Sequence, residues 1–310
     1  MAKTRFAPDR GLTSRMVLVM FLIGLLAVAF IAALVAFVPT QSLPIVLVFA
    51  ALILGAQFFF SDKIATFAMG AKEVSREQEP ALHATVERLC ALANMPKPRI
   101  AVAETSVPNA FATGRNPNNA VICVTRGLYR SQLSQEELDG VLAHELSHVA
   151  HRDVMVITIA SFLGILAGIV ARMAFWFGLG GDRRDNQDDG VPIQLIIMLF
   201  SIATYAISFL LVRALSRYRE LAADRAGAQL TGNPLALATA LQKITGDMSK
   251  IPQQDLRAAE PFNAFYFAPA FSSKESLMAV LATHPSTEKR VEELIKIGHE
   301  LGQDFGQIGR

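Results

Sequence analysis

His144-Glu145-Leu146-Ser147-His148 is the stretch from which the rest of the chain can be read. Two histidines four residues apart share one face of a helix, about 6 Å from each other, which suits two corners of a tetrahedral metal site. The glutamate between them projects to the flank, where it can reach a metal-bound water without competing for the metal. The helix has a clear start: Ser134 and Glu137 form a capping box, with Leu133 and Leu138 as the hydrophobic staple around it. Leu138, Leu142, Leu146 and Val149 fall opposite the histidines, so one side of the helix belongs to a core and the other to a site.

Working outward, the flanks are membrane-like. Residues 16–38 carry no charge, and at about 1.5 Å per residue they are long enough to cross a hydrocarbon core of about 30 Å. A break at 39–44 separates them from a second apolar run, 45–60. Past the motif, the apolar run 154–171 is extended beyond Arg172 by residues 173–179; the arginine can snorkel and Trp176 suits an interfacial belt. A fourth run covers 193–212. The composition, 52% hydrophobic with mean hydropathy +0.36, agrees with four spans in two hairpins. Lys3, Arg5, Arg10 and Arg15 precede the first span, and Arg213, Arg217 and Arg219 follow the fourth, which places both termini and the intervening chemistry in the cytoplasm. The expected organisation is a cytoplasmic N-terminus at 1–15, a transmembrane hairpin at 16–60, a catalytic part at 61–153 carrying the motif, a second hairpin at 154–212 and a second catalytic part at 213–310. A formal net charge of +2, with bases scattered among acids, gives no nucleic-acid surface. Cys90 and Cys123 match neither a disulfide framework nor a cysteine metal site and are expected as buried, reduced thiols.

Between the hairpins, residues 76–93 have helical apolar spacing, ended by Asn94-Met-Pro-Lys-Pro. Residues 99–103, 109–113 and 120–125 are expected as short strands. The fold class is therefore a mainly α integral membrane protein with a small β-sheet. His83, a lone polar residue on the first helix, is expected to be solvated.

The third ligand must come from elsewhere. His151 shares the histidine face, but it lies about 10.5 Å from His144 along the axis, too far for both to meet one ion. Glu220 is the better candidate, its rival reading being a juxtamembrane acid paired with Arg217 or Arg219. Counting along the second hairpin, with both helices continuous and antiparallel, puts His148 and Glu220 within about 3 Å in height. Ala222, Ala223, Ala226, Gly227 and Ala228 permit close helix approach, and Asp224, one turn on, can orient a histidine. The same count puts the site about 9 to 12 Å above the hydrocarbon edge, able to take segments leaving the bilayer. Residues 262–271 hold five aromatics and are expected as a core or membrane-contacting loop, and His284-Pro-Ser-Thr-Glu opens a last helix.

Taken together, the two N-terminal spans, Pro108-Asn109-Ala110-Phe111-Ala112, the HELSH motif, the second hairpin, Glu220-Leu-Ala-Ala-Asp224 and Thr283-His284-Pro285-Ser286 resemble the HtpX family of membrane zinc metalloproteases, related to Ste24-type and OMA-type proteases. The resemblance covers essentially the whole chain. It implies a gluzincin-like cytosolic catalytic domain on four transmembrane helices, with one zinc ion per chain held by His144, His148 and Glu220. It further implies Asp224 beside a ligand, an edge strand at Asn109, Ala110, Phe111 and Ala112 that pairs with substrate backbone, and His284 and Arg290 supporting the site or the oxyanion. Where the family often has an aromatic after this glutamate, this chain has Leu221.

The expected chemistry is water attack on a peptide carbonyl, with Glu145 as general base and later proton donor to the leaving amine. Expected partners are protein or peptide substrates, membrane proteins foremost, and the lipid bilayer of the cytoplasmic (inner) membrane, in a quality-control or stress role. Nothing resembles a phosphate loop, so neither nucleotide nor nucleic acid is expected. A non-catalytic zinc-binding scaffold and a transporter stay open as alternatives; Glu145 argues against the first and the uncharged mid-spans against the second.

Overall fold

The computed structural model describes residues 10–37, 43–180, 193–250 and 284–303. The chain begins with α1 (Arg10–Phe37), α2 (Leu43–Phe59) and α3 (Ser61–Ala68). A small mixed region follows, with β1 (Ala71–Glu73), α4 (Pro80–Ala93), β2 (Arg99–Ala103), β3 (Ala110–Thr113), β4 (Val121–Thr125) and α5 (Arg126–Arg130). The remainder is helical: α6 (Gln135–Ala150), α7 (Asp153–Gly180), α8 (Ile193–Thr231), α9 (Pro234–Met248) and α10 (Thr287–Glu300). The 262–271 stretch and Thr283 lie outside the described residues.

By length and composition α1, α7 and α8 can each cross a membrane, and the pair α2 and α3, bent by 63°, makes up to a fourth span. The chain is a multi-pass membrane protein. The bundle has a dry interior in which Phe30 and Leu34 of α1 meet Leu163 and Leu166 of α7 and Leu215 of α8. Its outside is apolar too: Phe21, Leu25, Leu52, Leu199 and Trp176 are all exposed, as lipid-facing side chains must be. At 39 residues, α8 is about 58 Å long, roughly twice the hydrocarbon thickness. Its apolar first half fills a span and its second half, which carries Glu220, runs on beyond it.

The four strands are ordered β1-β2-β4-β3. β2 and β4 are parallel; β1 and β3 flank them antiparallel, which leaves β3 at an edge. One face, Ile100, Val102, Ile122 and Val124, packs on Leu82, Val86 and Leu89 of α4 and on Leu142 and Leu146 of α6. The other, Ala101, Phe111, Val121 and Cys123, packs against Ala65 of α3. Coverage on both faces explains why β4 is buried at every position and reads as an unbroken apolar run rather than an alternation.

The mainly α fold with a small sheet is as the residues imply, and several details differ. β1 is an additional strand. The first soluble helix starts at Pro80, not at 76. The second apolar run forms the helix α2 as expected, and beyond it α3 turns off to cover the sheet. The motif helix and the third span are not continuous: Arg152 adopts a positive φ of 56°, which ends α6 and starts α7 in a new direction. Asn94 ends α4 in the left-handed conformation, as its sequence suggests. His83 is buried, not solvated; its Nε2 donates to the Val74 carbonyl at 3.1 Å and its Nδ1 meets Lys97 Nζ at 2.8 Å.

Candidate metal centre

α6 is held from its first turn. Ser134 accepts from the Glu137 N–H, and Glu137 returns the bond to the Ser134 N–H at 2.7 Å. Leu142, Leu146 and Val149 lock the helix into the core, and the opposite face turns His144 and His148 toward α8. α8 approaches closely because Gly227 lies against the backbone of Ala143 and His144. Glu220 is thereby delivered onto the histidines, even though the helices do not run on continuously as the residue count assumes.

His144 Nε2 and His148 Nε2 are 3.1 Å apart. Glu220 Oε1 lies 3.4 Å from His148 Nε2, and Oε2 lies 3.6 Å from His144 Nε2. A tetrahedron with bonds of about 2.05 Å has edges of about 3.3 Å, so these separations match three donors to one small cation. Among the described residues this is the one group with metal-binding geometry, and His151 is not part of it. Its Nδ1 is instead bonded to the Ser147 carbonyl at 2.9 Å, closing the end of α6.

The other ring nitrogens are also accounted for. His144 Nδ1 meets Asp224 Oδ1 at 2.9 Å, and His148 Nδ1 meets Asp153 Oδ2 at 2.6 Å. With Nδ1–H donating to a carboxylate, each Nε2 lone pair faces the centre. Arg290, fully buried, clamps Asp224 with two bonds of 2.8 and 2.6 Å. Arg219, also buried, pairs with Asp153. With the histidines neutral, as ligands must be, Asp153, Glu220 and Asp224 against these two guanidiniums leave one negative charge in a buried cluster, and Glu145 once ionised adds a second, a balance that a divalent cation meets. Burial by itself pushes both histidine pKa values down, but hydrogen bonds to Asp224 and Glu220 for His144, and to Glu220 for His148, outweigh it, and both are raised. The donor set fits a metal ion.

Glu145 is buried beside the cluster, and burial raises its pKa above the ordinary glutamate value against the pull of His144 and His148. Its Oε2 accepts the Ala112 N–H at 2.8 Å. That bond identifies the exposed side of the edge strand. The Thr125 N–H donates to the Asn109 carbonyl, so odd-numbered residues of β3 bond inward to β4, and Ala110 and Ala112 turn their main-chain groups outward. Of the four residues expected to hold substrate, Asn109 is completely buried and lies outside the cavity, while Ala110, Phe111 and Ala112 line it; Ala110 is fully buried, Phe111 also packs into the sheet's core, and Ala112 is half-buried. His284 and Arg290 are likewise separated. His284 lines the cleft with Nδ1 3.0 Å from Glu220 Oε2; Arg290 does not line it, clamping Asp224 from behind, though its Nη1 lies 3.7 Å from the same Glu220 oxygen.

The cleft has a volume of about 470 Å³ and runs from Glu145 and the β3 edge past Val149 to Ile157 of α7 and Phe209 and Val212 of α8. Asp153 and Arg219 are the site residues that the sequence reading missed; the available signal was an acid five residues past the second histidine, just before an apolar span.

Residues 76–298 match the family described as Peptidase family M48. Across 301 residues the chain is 58% identical to "Protease HtpX homolog 1" of Streptomyces coelicolor, covering 97% of both chains. It is 46% identical to "Protease HtpX homolog" of Moorella thermoacetica over 96% of this chain and 98% of that one. Among solved structures it is similar in fold to S. mikatae Ste24p, with a TM-score of 0.52 at 15% identity; the match covers 90% of this chain and 63% of that chain's length.

Proposed function

The chain belongs to peptidase family M48 and is a metalloprotease, and from that premise we propose that it is a zinc endopeptidase of the cytoplasmic (inner) membrane acting on unfolded or misassembled proteins, membrane proteins among them. The observation that carries this reading is the match between the three ligand separations and a tetrahedral zinc site, with Glu145 at its side. His144, His148 and Glu220 hold the ion. Bound there, zinc supplies the Lewis acidity that polarises a peptide carbonyl and acidifies a water.

The rest is done by the chain's own groups. The Ala112 N–H fixes Glu145 Oε2, so Oε1 is left to take the proton of the attacking water and pass it to the leaving amine nitrogen. His284 has a buried Nε2 without a hydrogen-bond partner among the described residues, and it lines the cleft, where it can donate to the developing oxyanion. With its N–H held by Glu145, half-buried Ala112 keeps an outward-facing carbonyl that can accept a main-chain bond from an extended substrate laid along the edge of β3. Only an unfolded segment can bind this way, which favours quality-control substrates over folded ones. The continuation of the cleft between α7 and α8 supports entry of segments emerging from the bilayer, and the charge distribution around the spans supports a cytoplasmic active site.

The reading is tested with protein stripped of metal in detergent and reloaded with zinc, following cleavage of an unfolded reporter. Glu145→Gln is expected to lower kcat/KM by about 10²- to 10⁴-fold, the range for a general base. Equal cleavage by both proteins would overturn the mechanism. A reporter carrying an apolar segment should be cleaved faster than the same reporter without it; equal rates would remove the membrane-protein preference.

A further inference from the structure

The two ligand histidines are held in the same manner from opposite sides. Each Nδ1 meets an aspartate, and each aspartate is paired with a buried arginine. The first set, His144, Asp224 and Arg290, joins α6 to α8 and α10. The second, His148, Asp153 and Arg219, joins the end of α6 to the first residue of α7 and to α8 just before Glu220. Asp153 reaches back to His148 because the left-handed turn at Arg152 folds the start of α7 onto the end of α6.

We propose that Asp153, held by Arg219, is the positioning residue for His148, and that through this pair the second membrane hairpin, α7 with α8, sets the geometry of the metal centre. An imidazole that donates Nδ1–H to a carboxylate has its tautomer and ring orientation fixed and its Nε2 made a better donor. Arg219 fixes that carboxylate to the helix carrying the third ligand. Any displacement of α7 along α8 therefore moves His148 relative to Glu220. The hairpin is thus part of the metal site as well as an anchor. This inference rests on His144, His148 and Glu220 being the ligands.

Full-length protein in detergent is titrated with zinc against a chromogenic chelator, and cobalt(II) is loaded to read ligand geometry from its visible absorption. Asp153→Asn should weaken zinc binding by about 10- to 100-fold, the range for partners of ligand histidines, and shift the cobalt bands, with no substrate present. Arg219→Gln should change both in the same direction and Arg219→Lys should restore them in part. Cooperative unfolding in chelator shows that each variant folds; if Asp153→Asn does not, the Arg219 pair decides. Wild-type affinity and an unchanged cobalt spectrum in Asp153→Asn would overturn the role of Asp153, and the same result in Arg219→Gln would sever the link to α8. Wild-type protein that binds zinc no better than His148→Ala would instead defeat the ligand assignment itself.

Discussion

At Gly227 an added Cβ would lie 2.9 Å from the His144 nitrogen and 3.1 Å from its Cα. Both are backbone atoms of the motif helix and cannot rotate away. Gly227→Ala must push α8 off α6, and with it Glu220 and Asp224, two turns and one turn earlier on the same helix. The expected result is overpacking that costs about 1–3 kcal/mol in unfolding of metal-free protein, with weakened zinc binding on top. Unfolding and metal binding at wild-type values would mean that this close approach is dispensable. Individual residues were legible in proportion to how local their signal is. His144, Glu145 and His148 follow from helical spacing alone. Glu220 needed a count across the hairpin, and the run of small residues at 222–228 supplied the reason two helices could meet there. Asp153 escaped because its role depends on the Arg152 turn, which has no sequence marker such as glycine. His83 was misread because the Val74 carbonyl and Lys97, which satisfy it, come from separate segments.

At the scale of elements, α6 is the one whose sequence signals all agree, and its first turn makes a further contact that they did not reveal. Glu137, besides closing the capping box, accepts a charged hydrogen bond from Lys243 of α9 at 2.7 Å. Burial raises the Glu137 pKa, but the bonds from Lys243 and from the Ser134 N–H outweigh it, and the net shift is downward from 4.5. Below the unfolded value, the unfolded chain binds more protons at this site than the folded one, so stability rises with pH. The contribution is fully present above about pH 4.5 and is lost as pH falls through the lower folded value. Glu137→Gln removes it. Measured in chelator, the variant should unfold more easily than wild type at neutral pH, and the gap should narrow on acidification through the carboxylate range. A gap constant with pH would show that the ion pair contributes nothing. Elsewhere the strands β2 and β4 stand out as β-branched runs, whereas Ala71-Lys-Glu73 has neither alternation nor β-branching and gains its strand only by pairing with β2. The bend between α2 and α3 is a tertiary effect of the same kind, since the sheet face that α3 covers is assembled from residues 101–123.

For the molecule as a whole, composition alone indicated a membrane protein, and the exposed apolar belt of α1, α2, α7 and α8 gives that composition its place. Which side carries the metal centre is a separate matter, because packing is indifferent to it; the arginines and lysines flanking the spans are what argue for the cytoplasm. The two native cysteines make this directly measurable. Cys90 and Cys123 are 3% and 0% exposed, and burial pushes both thiols up to about 12, so neither is a thiolate or accessible at neutral pH. The intact chain therefore gives a low background for thiol labelling. Asn186→Cys, which falls between α7 and α8 in the sequence, should react with a membrane-impermeant maleimide applied to intact cells, while Lys72→Cys, exposed on β1, should react only after the membrane is opened. The reverse pattern would place the centre on the outer side. It would leave the site's geometry untouched but exclude cytoplasmic segments of membrane proteins as its substrates.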